Sequence, residues 1–239
     1  YMWAGMAEMA QGQVHTALTS LRQAEAISLA ANANQRLASV LDAIAYVHYS
    51  QQELALALDT MQRSLTLVRR FSTPVRVVSS LNNIAQIQFS LGQPVDALES
   101  LDEAVFLAQD TSRNHLAVVC SNRAEILAYV GRFEESLADF EKAVTLYADM
   151  DDQYQLLATH INWGQEYCNA LHRWDEATLH FVLAQDMMEK QGEQFREEKV
   201  RLLIGVGEMA VQTDRLDEAW HCLREALLLI EEKELKWWR

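Results

Sequence analysis

An all-α fold is predicted, a solenoid of about six antiparallel helix pairs, and three observations predict it. The chain has only two prolines and eight glycines in 239 residues, and its abundant Ala, Leu, Gln and Glu are helix formers. The stretch Leu81 to Asp110, LNNIAQIQFSLGQPVDALESLDEAVFLAQD, reads as a helix, a tight turn at Gly92 and a second helix. Five other segments repeat its order of small and bulky residues at a spacing near forty, and self-similarity of that length marks a stacked array.

The elements follow from the columns. Aligning on the small residue that opens each second helix gives anchors at Ala17, Ala57, Ala97, Ser136, Ala177 and Ala219, at intervals of 40, 40, 39, 41 and 42. Four residues on stand Leu21, Met61, Leu101, Phe140, Phe181 and Leu223, all large. Seven residues on stand Ala24, Ser64, Ala104, Ala143, Ala184 and Ala226, all small. Offsets of four and seven share one helix face, so each second helix carries a knob between two shallow positions. In the first helices, Tyr1, Leu41, Leu81, Cys120, Ile161 and Leu203 precede Gly5, Ala45, Ala85, Ala124, Gln165 and Gly207 by one turn. That pairing of bulky and small residues lets two helices approach closely. Five before each anchor come Gly12, Gln52, Gly92, Gly131, His172 and Asp214, where glycine suits a helix C-cap. Acidic residues gather just before the anchors, at Asp96, Glu134, Glu135, Asp175, Glu176, Asp217 and Glu218, next to the positive end of a helix dipole. Thr73 and Pro74 read as a cap and a first helical residue.

The breaks are too short for domain linkers. One domain, 1–239, is expected, with repeats at about 1–33, 34–73, 74–113, 114–152, 153–194 and 195–236.

In this succession of bulky residue, small residue, turn, alanine, large residue and alanine, the chain resembles the tetratricopeptide repeat (TPR) over essentially its whole length. Phe133 and Trp174 stand where that family often carries an aromatic after the turn. The period exceeds the family's usual 34 by about six, which implies longer helices. In this it is similar to the long-period repeats of kinesin light chains, whose start resembles Leu81-Asn82-Asn83-Ile84-Ala85, and to the sensor repeats of maltose-regulator-type bacterial activators. HEAT and armadillo repeats share the period but lack the double alanine. The resemblance implies a right-handed solenoid whose first helices line a concave groove.

That implied groove supplies the candidate site. Fifteen before the anchors stand Asp42, Asn82, Ser121 and Asn162; eleven before, Tyr46, Gln86, Glu125, Glu166 and Glu208; eight before, Tyr49, Phe89 and Asn169. The row grades from aromatic to acidic and amide-rich. Arg201, near the start of the last first helix, leaves the groove almost without cations, so a clamp for a terminal carboxylate is not supported. Arg123 and Gln165 break the columns and read as a local register adjustment or as polar groups turned to the groove.

Other chemistry finds no footing. A net charge of −14 argues against nucleic acid, whose binding rests on clustered Lys and Arg. No apolar run approaches a membrane span. The run Leu202 to Ala210 holds a GxGxxA string, but a dinucleotide turn needs a strand before its helix, and the surroundings are helical. Seven histidines show no metal-ligand spacing. Cys120, Cys168 and Cys222 lie 48 and 54 residues apart, which reads as buried thiols in a reducing, cytoplasmic setting. No enzyme, cofactor or metal is expected. The expectation is a protein-interaction or scaffold module for a basic or neutral segment with apolar anchors. The alternative is a ligand-sensing regulatory domain of a larger bacterial signalling or transcription-activator protein. Both ends lack polar caps, so the natural chain is expected to continue beyond them or to self-associate there.

Overall fold

The computed structural model describes residues 1–166, 171–191 and 195–232. Twelve α-helices run through them: α1 (Met2–Ala10), α2 (Val14–Ala30), α3 (Asn34–Ser50), α4 (Leu54–Phe71), α5 (Pro74–Ser90), α6 (Pro94–Ala108), α7 (Arg113–Tyr129), α8 (Phe133–Asp149), α9 (Gln153–Glu166), α10 (Trp174–Gln191), α11 (Arg196–Gln212) and α12 (Leu216–Glu232). No strand occurs among the described residues. The odd-numbered helices are the first members of the pairs and the even-numbered the second. The residues form two compact units, Tyr1–Asn122 and Arg123–Arg239.

The turn inside each pair has one conformation whatever residue occupies it. Gly12, Gly92 and Gly131 take φ of +74°, +75° and +82°, and Gln52, His172 and Asp214 take +61°, +51° and +60°. A left-handed residue lets the backbone close on the last carbonyls of the first helix: Gly92 N donates to Phe89 O at 2.9 Å and Gln93 N to Gln88 O at 2.9 Å. Thr73 is the N-cap of α5 and Pro74 its first residue, but the Thr73 side chain makes no capping hydrogen bond.

All six anchors are buried, and so are the knobs Leu21, Met61, Leu101, Phe140 and Phe181. In the first unit, Leu18 and Leu21 of α2 pack with Val40, Ala43, Ile44 and Val47 of α3. One repeat later, Leu58, Met61 and Leu65 of α4 pack with Ile84 and Ile87 of α5 and with Leu91 at its C-cap. In both repeats the second helix lays its knob row on the next first helix, as a stack of repeats requires. Each buried Leu or Ile in these clusters contributes about 1.5–3 kcal/mol.

In the second unit the same contact is aromatic. Phe140 stacks on Trp163 with ring centres 5.5 Å apart, and Phe181 lies against Gly164 and Gly205. Gly164, one position before Gln165, takes the small-residue role there, so the register shifts by one in repeat five. Arg123 does not face a groove: its guanidinium donates to both Asp139 oxygens, at 2.6 and 2.9 Å, and Asp139 is buried. Gly205 and Gly207 belong to the interior of α11, where a Cβ on Gly207 would meet Leu223 at 3.2 Å. They make room for side chains, not for pyrophosphate.

Candidate functional site

The predicted groove residues lie on α3, α5, α7, α9 and α11, and their surroundings differ. Tyr46, Gln86 and Glu208 are exposed, Tyr49 and Phe89 half-buried, and Asn82 and Ser121 buried. Asn169 lies outside the described residues, as does Cys168. Asp42 is half-buried and receives the Ser64 hydroxyl at 2.5 Å and Arg76 Nη2 at 2.7 Å. Burial pushes its carboxyl above the usual range in spite of both partners.

Several of these polar groups bind one another across neighbouring first helices. In the first unit Arg76 of α5 donates to Asp42 of α3, and Asn122 of α7 donates to Asn82 of α5 at 2.7 Å. In the second unit Asn162 of α9 donates to Glu125 of α7, and Arg201 of α11 donates to Asn162. The partners are 34, 40, 37 and 39 residues apart. Equivalent helix flanks in a repeat array lie one period apart, so polar groups on them can satisfy each other when burial removes water. Part of the predicted site is therefore mortar between helices.

Arg201 is the residue the sequence reading undervalued. Its guanidinium reaches Asn162 Oδ1 while the Nδ2 of the same amide faces Glu125. One asparagine relays between a cation and an anion, which fixes the orientation of its amide. The available signal was the period itself, since Arg201 stands one repeat after Asn162.

Glu125 and Glu166 make this part of the second unit electrostatically distinct. Burial raises the Glu125 carboxyl to about 7, outweighing the attraction of Arg201 and the Asn162 hydrogen bond. Burial also raises Glu166 to about 7, and the negative charge of Glu125 adds to it. Arg201 offsets the charge of Glu125 only in part and Glu166 adds a second buried carboxyl, so near neutral pH the pair still holds protons that an arriving cation would displace. Beside them Tyr154 of α9 donates to the buried Glu198 of α11, which pushes the phenol up.

Elsewhere, a cleft of about 210 Å³ in the first unit is edged by Ser79, Asn82, Asn83, Asn114 and His115. A larger one, about 750 Å³, lies in the second unit between α10, α11 and α12, with Met188, Phe195, Leu202 and Cys222 on its wall. Cys120 and Cys222 are buried. His160 and His180 meet Nδ1 to Nδ1 at 3.0 Å inside the second unit, a pairing that spacing in sequence did not foretell. Among the described residues no three His, Cys, Asp or Glu side chains gather to hold a metal ion. No described helix is long and apolar enough to cross a membrane.

Residues 116–149, spanning most of α7 and all of α8, match the family model of the tetratricopeptide repeat. No curated protein matches the chain by sequence. Among solved structures, BtubC (BKLC) from P. vanneervenii is 15% identical over 94% of this chain and 92% of its own, with a TM-score of 0.74. The nearly identical TPR-like repeats of a kinesin-light-chain-type protein of Podosopora anserina are 16% identical, over 81% of this chain and 95% of theirs, with a TM-score of 0.67. A Rap protein complexed with Competence and Sporulation Factor is 14% identical, over 97% of this chain and 63% of its own, with a TM-score of 0.71. At such identities the likeness is one of fold: an all-α, TPR-like helical repeat. That fold commonly mediates protein–protein interaction and is generally non-enzymatic.

Proposed function

We propose that this TPR-type array is a cytoplasmic, non-catalytic protein-interaction or scaffold module. It takes an extended or helical segment of a partner protein, with a Lys or Arg and apolar neighbours, along its first-helix faces. The observation that carries this reading is a pair of buried carboxyls, Glu125 and Glu166, on two successive first helices, where Asn162 donates to Glu125 and one cation, Arg201, donates to Asn162. A second cation from the partner would complete the charge balance and allow both carboxyls to ionise. Exposed Tyr46 and Gln86, with half-buried Tyr49 and Phe89, offer apolar and amide contacts for the same kind of segment. The net charge of −14 favours such a partner from a distance.

The test is a titration, by calorimetry or fluorescence anisotropy, of a Lys/Arg-and-Leu peptide and of its Asp/Glu counterpart, at low and high salt. The basic peptide should bind more tightly, lose affinity in high salt, and lose about tenfold or more against the E125Q/E166Q variant. Equal affinity for the acidic peptide would sink the reading.

A second reading, a ligand-sensing regulatory domain of a larger signalling protein, gains support from the likeness to the Rap protein bound to its factor. In that case a small ligand would raise the melting temperature with no polypeptide present.

A further inference from the structure

We infer that the cleft between α10, α11 and α12 is a binding site for a single-chain aliphatic carboxylate, a fatty acid in its free form. The site shares no residue with the groove reading above.

The cleft opens where the ties between second helices change. In the first unit the residue six after the anchor holds a second helix to the one before it: Arg63 of α4 to Glu25 of α2 at 2.9 Å, and Glu103 of α6 to Arg69 of α4 at 2.6 Å. Glu225 has that position on α12 but turns to Lys199 of α11, 2.8 Å away. It therefore does not reach back to α10, and about 750 Å³ lies open between the three helices. On α12 the wall is made by Glu218, Cys222, Glu225 and Leu229, at −1, +3, +6 and +10 from the anchor. These positions share one flank, opposite the +1, +4 and +8 row. The helices that form the cleft are neighbours in the stack, whatever precedes α1 or follows α12.

The walls select the occupant. The volume falls in the range of small-molecule sites, about 300–1,000 Å³. The lining follows α11 from Phe195 to Val206, about 16 Å at the helical rise per residue, so the space is a slot that suits a chain. Met188, Leu202, Leu203, Val206 and Leu229 make its sides aliphatic. An extended polypeptide there would need a partner for each buried N–H and C=O. The neutral polar side chains on the walls are Gln185 and His221, and Gln185 already donates to Glu189 at 3.1 Å. Methylenes ask for no such partners and gain from leaving water. Arg196 and Lys199 stand one turn apart on α11 at the Phe195 end of the slot, and Lys199 already binds a carboxylate, that of Glu225. The two cations give the head group of a fatty acid its charged donors.

Calorimetric titration of the full 239-residue chain with dodecanoate, kept below its micelle concentration and run beside dodecanol, tests this. Dodecanoate should fill one saturable site and bind about tenfold or more tightly than dodecanol. R196Q/K199Q should lose about that factor, and L203W, which fills the slot, should lose binding while keeping its melting curve. Cys222 in the wall gives a second reading on the unaltered chain. Bound dodecanoate should slow its alkylation, followed by peptide mass spectrometry, and leave the rate at Cys120 unchanged. The inference is overturned by the lack of a saturable site, by equal affinity for dodecanol, or by an unchanged rate at Cys222. Binding lost in E125Q/E166Q and kept in R196Q/K199Q overturns it too, since the chain would then lie in the groove. Protection of Cys222 by a leucine-rich helical peptide in place of dodecanoate would give the cleft to a partner helix and likewise overturn it.

Discussion

Phe181 lies so close to Gly164 that a Cβ built on the glycine would stand 2.6 Å from Cε1 and 2.8 Å from Cδ1 of the ring. The ring cannot step aside, because it is buried in a cluster with Ile161, Trp163 and Leu202. Alanine gains about 0.5–1 kcal/mol over glycine inside a helix, whereas overpacking a closed core costs about 1–3 kcal/mol. Gly164→Ala should therefore lower stability by about 1–2 kcal/mol in urea unfolding, and adding Phe181→Leu should recover part of the loss. An unchanged midpoint in the single variant would refute the contact.

Arg123 and Asp139 form a bidentate pair with little access to water. Asp139→Leu strands the guanidinium and should cost about 3 kcal/mol. The exposed pair of Arg132 and Glu135 has the same chemistry in solvent, where it is worth little, so Glu135→Gln should leave the unfolding midpoint nearly unchanged. Similar losses from the two substitutions would contradict the assigned burial.

His160 and His180 stack 5.3 Å apart, with Trp163 4.1 Å from the His180 ring. Burial lowers both imidazoles to about 4; at His180 the neighbouring histidine adds to the effect and Glu176 opposes it. The folded pKa lies below the ordinary 6.5, so the unfolded chain takes up protons first as pH falls. Their contribution is complete above about 6.5 and fades toward 4. Urea midpoints measured from pH 7 to 4 in an E125Q/E166Q background should fall, and H160Q/H180Q should flatten the curve.

Glu125 and Glu166 have the opposite sign. Their folded pKa of about 7 exceeds the ordinary 4.5, so their favourable contribution is whole below about 4.5 and is lost as pH rises through 7. E125Q/E166Q should raise the midpoint at pH 8 and leave it nearly unchanged at pH 4. In the parent chain, affinity for a basic peptide should climb from pH 6 to 8 as the carboxyls ionise. A flat binding profile would separate these carboxyls from the partner's cation.

Gln52 adopts φ of +61° at the turn where Gly92 and Gly131 stand in other pairs. Glycine enters this conformation without the clash of a Cβ. Gln52→Gly should raise stability by up to about 1 kcal/mol, while Gly92→Ala should lower it by a similar amount, both read from thermal melting.

Much of this was legible in the residues. The turn column read as a helix C-cap, and the structure shows left-handed backbone there at Gln52, His172 and Asp214 as well as at the glycines. The anchors, and the knobs of the first five pairs, proved to be core. The candidate site was legible only as a set of positions. Asn82 and Ser121 turned out to be buried, Asp42 to be held by Ser64 and Arg76, and Arg201 to belong with Glu125 and Asn162. A polar residue on a helix flank reads the same whether it faces solvent or a neighbour one repeat away.

Helices, turns, the six-fold pattern and the apolar rows followed from the amino-acid order, because each depends on residues a few positions apart and on a neighbour that repeats the same motif. Only the packed structure decided how charge and hydrogen bonding are spent. The register slip that put Gly164 under Phe181, the burial of Arg123 with Asp139, and the meeting of His160 with His180 depend on distances of about 3 Å between helices. A one-dimensional pattern carries no information at that scale, whereas desolvation in the packed array settles it.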